Sequence, residues 1–307
     1  MSFITLAQQG NNIGPEQGTP EWFKNRENKM TGSKPSSIMF DCVDQESYNT
    51  LWGQYFGGEQ KPEFDETQQA AVDWGSNKED DACKEFIRLM PGTFVFETSL
   101  IDHPKYKWMA ASPDGYIVRV KTGENNEIKK PFEVIERAAF EIKCPGSRYR
   151  DSEGNVKPYE MMKSLEKKPN PPYYYMAQVH FEMVMLGVQV TYFYMWTPWY
   201  SKSWKIHFDN DYWTQTVSVL KAFYEKEIPI EFLLSKIQNW KATSQAISRK
   251  YKPLNTFYHA PDGAIQQSIK DKENPPIKFQ ENVNSEHMNR WAWNTVRDEE
   301  ILNKLFG

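Results

Sequence analysis

"AAFEIKCP", residues 138–145, is the stretch on which the reading of this chain turns. As a strand it puts Phe140, Ile142 and Cys144 on one face and Ala139, Glu141 and Lys143 on the other. The first face is core. The second holds a carboxylate and an ammonium two residues apart. That suits a solvated edge strand, and it equally suits a metal-dependent active site.

Two more strand patterns lie upstream, "TFVFETSLI" and "KWMAASPDGYIVRV". The second joins "FEVIERAAFEIK" through the charged turn "KTGENNEIKK", which reads as a hairpin tip. Before them, "FDETQQAAVDWGSNKEDDACKEFIRLMPG" is helical, with a break expected at Gly75 and a stop at Pro91–Gly92. "TPEWFKNRENKMTGSKPSSIMF" predicts a helix capped by Thr19 with Pro20 at its first position, then a turn and a second short helix. Residues 1–20 read as an extended arm.

Downstream, "PPYYYMAQVHFEMVMLG" is a helix apolar on nearly every side and therefore buried, with Gly187 ending it. "VQVTYFYMW" and "SWKIHF" form a strand pair, and "NDYWTQTVSVLKAFYEKE" an amphipathic helix. From about residue 240 the chain turns polar and reads as a loosely ordered extension ending in the helical pattern "MNRWAWNTVRDEEILNKLF". This order predicts an α/β (α+β) fold, a mixed central sheet with helices on both faces. The division is a domain over 1–230, including the N-terminal arm, and an extension over 231–307.

The 307 residues suffice for one large domain or two modest ones. An aromatic share of 15% supplies ample core and argues against wholesale disorder. The net charge of −4 gives no bulk support for nucleic-acid binding, although local charge and bound cations decide that question. Three cysteines without a CxxC pattern argue against a disulfide framework and for an intracellular compartment, cytoplasmic or, in a eukaryotic host, nuclear. The N-terminus lacks the pattern of a signal peptide, and no apolar stretch reaches membrane-spanning length.

Four polar positions sit in apolar surroundings. Asp114 lies in "ASPDGYI", good turn chemistry that would aim it sideways from a strand bend. Glu141 and Lys143 share a strand face. Glu79 fits a capping box opened by Ser76, yet it also falls on one stripe with Cys83, Phe86 and Met90, while Asp80 and Asp81 face solvent. Gln178 belongs to the buried helix and must find partners there. Three carboxylates converging on one spot repel unless cations sit among them. Oxygen ligands suit Mg²⁺ or Mn²⁺ rather than Zn²⁺. Two such ions about 4 Å apart activate a water and stabilise the leaving oxygen of a phosphodiester. A lysine beside them orients or deprotonates that water and offsets charge on phosphorus.

These residues resemble a known family. "ASPDG…FEIKCP" is similar to the PD-(D/E)XK nuclease motif, in the version of the YqaJ-type viral recombinase and lambda-exonuclease family. "WFKNRENKMTGSKPSSIM" resembles that family's W-x3-R…T-[AG]-S segment, "WGSNKEDDACKEF" its G-x3-E-x2-A helix, and "YYYMAQVHFEMVMLG" its glutamine-bearing helix. Four blocks in order cover about residues 20–210. The resemblance implies a restriction-endonuclease-like core. It implies Glu79, Asp114 and Glu141 as metal ligands, with Ile142 lending a backbone carbonyl and Lys143 as catalytic lysine. Arg26, Ser33, Ser112 and Gln178 match positions that bind a 5′-terminal phosphate or line the site. The chain departs from the family in the long span between Asp114 and Glu141 and in the extension after about residue 230, which leaves the family's ring-shaped trimer open.

The reading carried forward is a Mg²⁺-dependent exonuclease, 5′→3′ on linear duplex DNA ends, leaving 3′ single strands for a recombinase or annealing protein. An endonuclease of the same fold and an inactive DNA-binding relic are the alternatives. Arg26 and Ser33 separate the first two, since they have a purpose only if a terminal phosphate is captured. The basic, aromatic stretches "GSRYR" and "SRKYK" could track phosphates and stack bases.

Overall fold

The structure, a computed structural model, describes residue 15 and residues 17–59, 62–96, 98–103, 105–128, 132–145 and 163–259. Within these, helix α1 (Pro20–Arg26) is followed by strand β1 (Met30–Thr31) and helices α2 (Lys34–Asp41), α3 (Gln45–Phe56) and α4 (Glu66–Leu89). Strands β2 (Thr93–Phe96), β3 (Ile101–Asp102), β4 (Met109–Ala111), β5 (Gly115–Val120) and β6 (Val134–Lys143) come next. Helix α5 (Met176–Leu186) leads to β7 (Val190–Thr197) and β8 (Tyr200–His207), then to α6 (Asn210–Glu225), α7 (Ile230–Ser248) and β9 (Asn255–Tyr258).

The main sheet has six strands in the order β2-β5-β6-β7-β8-β9, and β1, β4 and β3 make a small second sheet. All neighbours in the main sheet are antiparallel except β6 and β7, which run parallel. A parallel pair needs a crossover, and α5 lies on it. The span from 115 to 140 is thereby explained as the two arms and tip of the β5–β6 hairpin.

Alternation along β6 sorts its residues as expected. Phe140, Ile142 and Cys144 pack with Ala82, Cys83 and Phe86 of α4, and the Phe86 and Phe140 rings lie 4.5 Å apart. Ala139 faces the larger core on the other side of the sheet, with Phe193, Met195 and α5.

Three expectations are corrected. Helix α4 runs unbroken through Gly75, because its cap is Asp65, ten residues earlier, in a reciprocal box with Gln68. One glycine costs a helix about 1 kcal/mol, which a capped and packed helix absorbs. Ser76 therefore caps nothing. Helix α3, which the sequence reading passed over, starts on a similar box between Asp44 and Ser47. The chain beyond residue 240 is ordered as far as Tyr258. Helix α7 buries Leu233, Ile237, Trp240, Ser244 and Ile247, a helical stripe in which a serine stands at a core position. The Ser244 hydroxyl bonds the Tyr212 hydroxyl at 2.7 Å, so the core accepts it. The sheet and its helical cover thus continue past residue 231. The expected arm over 1–14, the stretch "GSRYR" and the final helical pattern lie outside the described residues.

Candidate active site

Strand β6 carries Glu141 and Lys143 on the face toward α5, which packs against β6 and β7. Glu141 is 1% exposed, which excludes a solvated edge strand. Asp114 enters from the β4–β5 turn. Its Oδ2 accepts the Ile142 amide hydrogen at 2.7 Å, so the contact seen at Ile142 comes from its N–H and not from its carbonyl. The turn is pinned at the Pro113 carbonyl, which accepts from the Thr98 hydroxyl and, at 3.1 Å, from the Gln17 amide.

Gly115, directly after Asp114, pairs with Phe140, and a Cβ there would lie 2.7 Å from Val95 Cγ1. Gly115→Ala is expected to overpack this point, cost about 1–3 kcal/mol and displace Asp114. Thermal melts and initial rates of hydrolysis check it. A variant with wild-type melting and rate would show that the close approach does not position the carboxylate.

Glu141 Oε1 accepts from Lys143 Nζ and from Gln178 Nε2. The same Gln178 Nε2 donates to Glu182 Oε1 at 2.9 Å. Glu182, one turn further along α5, is 1% exposed, and the sequence reading passed over it. The signal was there: it is the sole formally charged residue of the helix MAQVHFEMVML, four positions after Gln178. Glu79 was expected on the packed stripe of α4. It stands instead at the solvent-exposed end of that stripe, within electrostatic reach of Lys143 and Glu141. Asp80 and Asp81 face solvent as expected, paired with Lys84 and Lys78.

The electrostatics follow from crowding. Burial first, then the charge of Glu141, holds the Asp114 carboxyl well above its ordinary pKa. Glu182 is raised well above the usual range by the same two causes. Glu79 is raised by partial burial and by Glu141, with Lys143 opposing. For Lys143 burial disfavours the charge, but Glu141 and Asp114 outweigh it and hold the ammonium well above its usual pKa. Four carboxylates thus face one ammonium.

This donor set fits a hard divalent cation. Glu141 Oε2 and Glu182 Oε2 are buried and have no hydrogen-bond partner, and the available donors are oxygens. Among the described residues no three His, Cys, Asp or Glu side chains stand grouped as a finished ligand set. Lys143 and the Ile142 amide engage Glu141 and Asp114, and a cation would share or displace those contacts.

A second cluster adjoins the first, joined to it through Ser112. Trp22 is buried on α1, and the Arg26 guanidinium lies 4.0 Å from its ring centroid, the one-turn relation expected from their spacing. The indole Nε1 donates to Ser112 Oγ at 3.0 Å, and Arg26 reaches Ser112 Oγ and Thr31 Oγ1, each at 3.5 Å. Burial pushes Arg26 down to about 10, and no carboxylate offsets it. Thr31 was not anticipated. Ser33 is exposed at the start of α2, where its side chain makes no capping bond, and it is not joined to Arg26. It follows Gly32, which lies against Gln178 and Glu182.

An aspartate at a strand bend, a Glu-x-Lys on the adjoining strand and a glutamine-bearing helix above them are the arrangement expected from the PD-(D/E)XK resemblance. The chain belongs to the YqaJ-like viral recombinase domain family, whose model matches residues 21–189. It is a deoxyribonuclease. Similar solved structures include LHK-Exo in complex with dAMP, at 22% identity over 76% of this chain and 97% of that one, with a TM-score of 0.45. Another is an alkaline exonuclease, LHK-Exo, from Laribacter hongkongensis, at 22% identity over 74% and 99%, also with a TM-score of 0.45. No curated protein matches the chain in sequence. Among the described residues no helix is long and apolar enough to cross a membrane.

Proposed function

We propose that the chain is a Mg²⁺- or Mn²⁺-dependent exonuclease that digests linear duplex DNA 5′→3′ and leaves 3′ single strands. The observation that carries the reading is the tie between the two clusters. Ser112, held by Trp22 and Arg26, stands two residues before Asp114 on the same turn. A phosphate held at Arg26 is therefore fixed relative to the carboxylates, which defines a cleavage position counted from an end.

Asp114 and Glu141, with Glu79 and the Ile142 carbonyl, would hold the cations. Bound there, divalent ions supply activation of water and neutralisation of charge on the leaving oxygen. Lys143, beside both carboxylates, is placed to orient or deprotonate the attacking water and to offset charge on the phosphoryl oxygens. Gln178 holds Glu141 in place. Arg26 grips the 5′-phosphate with charge-assisted hydrogen bonds, with Ser112 and Ser33 as hydroxyl donors.

The test is incubation with linear, nicked and closed circular duplex, in Mg²⁺ and in EDTA. Digestion of the linear form alone, and only with the metal, is expected. Ready cutting of closed circles would replace the exonuclease with an endonuclease. For Glu79, which caps nothing, Glu79→Gln is expected to leave the melting temperature unchanged and to lower the rate about tenfold or more. A wild-type rate would remove Glu79 from the site.

A further inference from the structure

We infer that Glu182 is a further ligand of the cation site, facing Glu141 across the bridging amide of Gln178; the inference rests on the cation-site reading above. Glu182 is buried in a helix whose other residues carry no formal charge. A carboxylate in such a place is tolerated only with a compensating partner. None of the cations nearby supplies it. Lys143 is paired with Glu141. The other groups that act on Glu182 are the carboxyls of Glu141 and Asp114, and both disfavour its charge. His180, on the same helix, bonds its Nδ1 to the Met176 carbonyl and packs its ring against Tyr212 and Phe208.

Glu182 has two neighbours, the Glu141 carboxyl at hydrogen-bond distance and a share of one amide. One amide nitrogen, Gln178 Nε2, serves Glu182 Oε1 and Glu141 Oε1 together, and each carboxylate is left with a buried Oε2 that bonds nothing. Two carboxyl groups this close stay together only with a shared proton or a cation between them, and a cation would displace the proton. Gly32 borders the spot. A Cβ there would lie 3.6 Å from both Glu182 Oε1 and Gln178 Cγ, so the buried backbone of Gly32 packs against that side of the carboxylate. Two orphaned oxygens and oxygen-only donors together describe a place for a hard divalent cation, with Gln178 setting the spacing of the two carboxylates.

The test is calorimetric titration of Mn²⁺ into the full chain without DNA, for wild type, Glu182→Gln, Glu182→Asp and Glu141→Gln, each first shown to melt cooperatively in EDTA. Glu182→Gln keeps the shape and removes the charge. It is expected to weaken Mn²⁺ binding about tenfold or more, or to abolish one of two binding events. Glu182→Asp, which keeps the charge on a shorter arm, is expected to fall between the two. Wild-type affinity and stoichiometry in Glu182→Gln, with binding lost in Glu141→Gln, would overturn the inference and leave the cation site standing. Wild-type binding in both Gln variants would overturn the inference and the cation site together.

Discussion

Glu141→Gln is expected to lower hydrolysis of linear duplex by roughly 10³-fold or more while leaving the fold intact. The side chain is buried beneath α5 and touches both Lys143 and Gln178, so the loss is of charge and not of shape. Without that charge the site has lost its most central cation ligand, and Lys143 retains Asp114 as its carboxylate neighbour. Stability should move the other way. Glu141 is the charge that raises the pKa of Asp114, Glu182 and Glu79 alike, so its removal relieves repulsion among the remaining carboxylates. In EDTA the variant is expected to melt at or above the wild-type temperature. A variant that retains a tenth of wild-type activity, or that unfolds many degrees lower, would show that Glu141 serves the fold rather than the chemistry.

The second large effect is expected at Arg26. Wild type should digest duplex bearing a 5′-phosphate much faster than the same duplex ending in a 5′-hydroxyl. Arg26→Ala should erase most of the difference by slowing the phosphorylated substrate. A guanidinium half-buried on an indole, with two long hydroxyl contacts and no carboxylate beside it among the described residues, has had its lost hydration only partly replaced. A bound phosphate would replace it, and charge-assisted pairs of this kind contribute about 1.5–3 kcal/mol, roughly ten- to a hundredfold in rate if realised at the transition state. Initial rates for both proteins on both substrates measure it. Equal wild-type rates on the two ends would leave Arg26 a packing residue of α1.

Much of this was legible in the chain because local patterns and tertiary demands agree. The period-2 alternation of 138–145 separated the α4-facing side from the Glu141 side, and the sheet kept that division. The W-x3-R spacing puts Trp22 and Arg26 one helical turn apart, and the structure adds that the guanidinium lies over the indole. The failures have physical reasons. Helix α7 looked loose because two buried positions, Ser244 and Ser248, are polar and find hydrogen bonds inside the core. Gly75 and Ser76 read as a helix boundary because Ser76 and Glu79 copy the box pattern, whereas the helix opens on the Asp65–Gln68 box and runs on through Gly75. Glu182 carries no motif of its own beside Gln178, since a glutamate one turn along a helix also reads as a surface residue. Its lone carboxylate in an apolar helix was the stronger anomaly.

The most direct measurement follows the order of release from a linear duplex that carries 5′-phosphates and distinct labels at the 5′ and 3′ ends of one strand, after addition of Mg²⁺. A cluster at Arg26 and Ser112 joined to the carboxylates at Asp114 predicts that the 5′ label leaves first, as a small product, while the 3′ label stays on a steadily shortening strand. Release of the 3′ label first, or of both labels on long fragments, would contradict it.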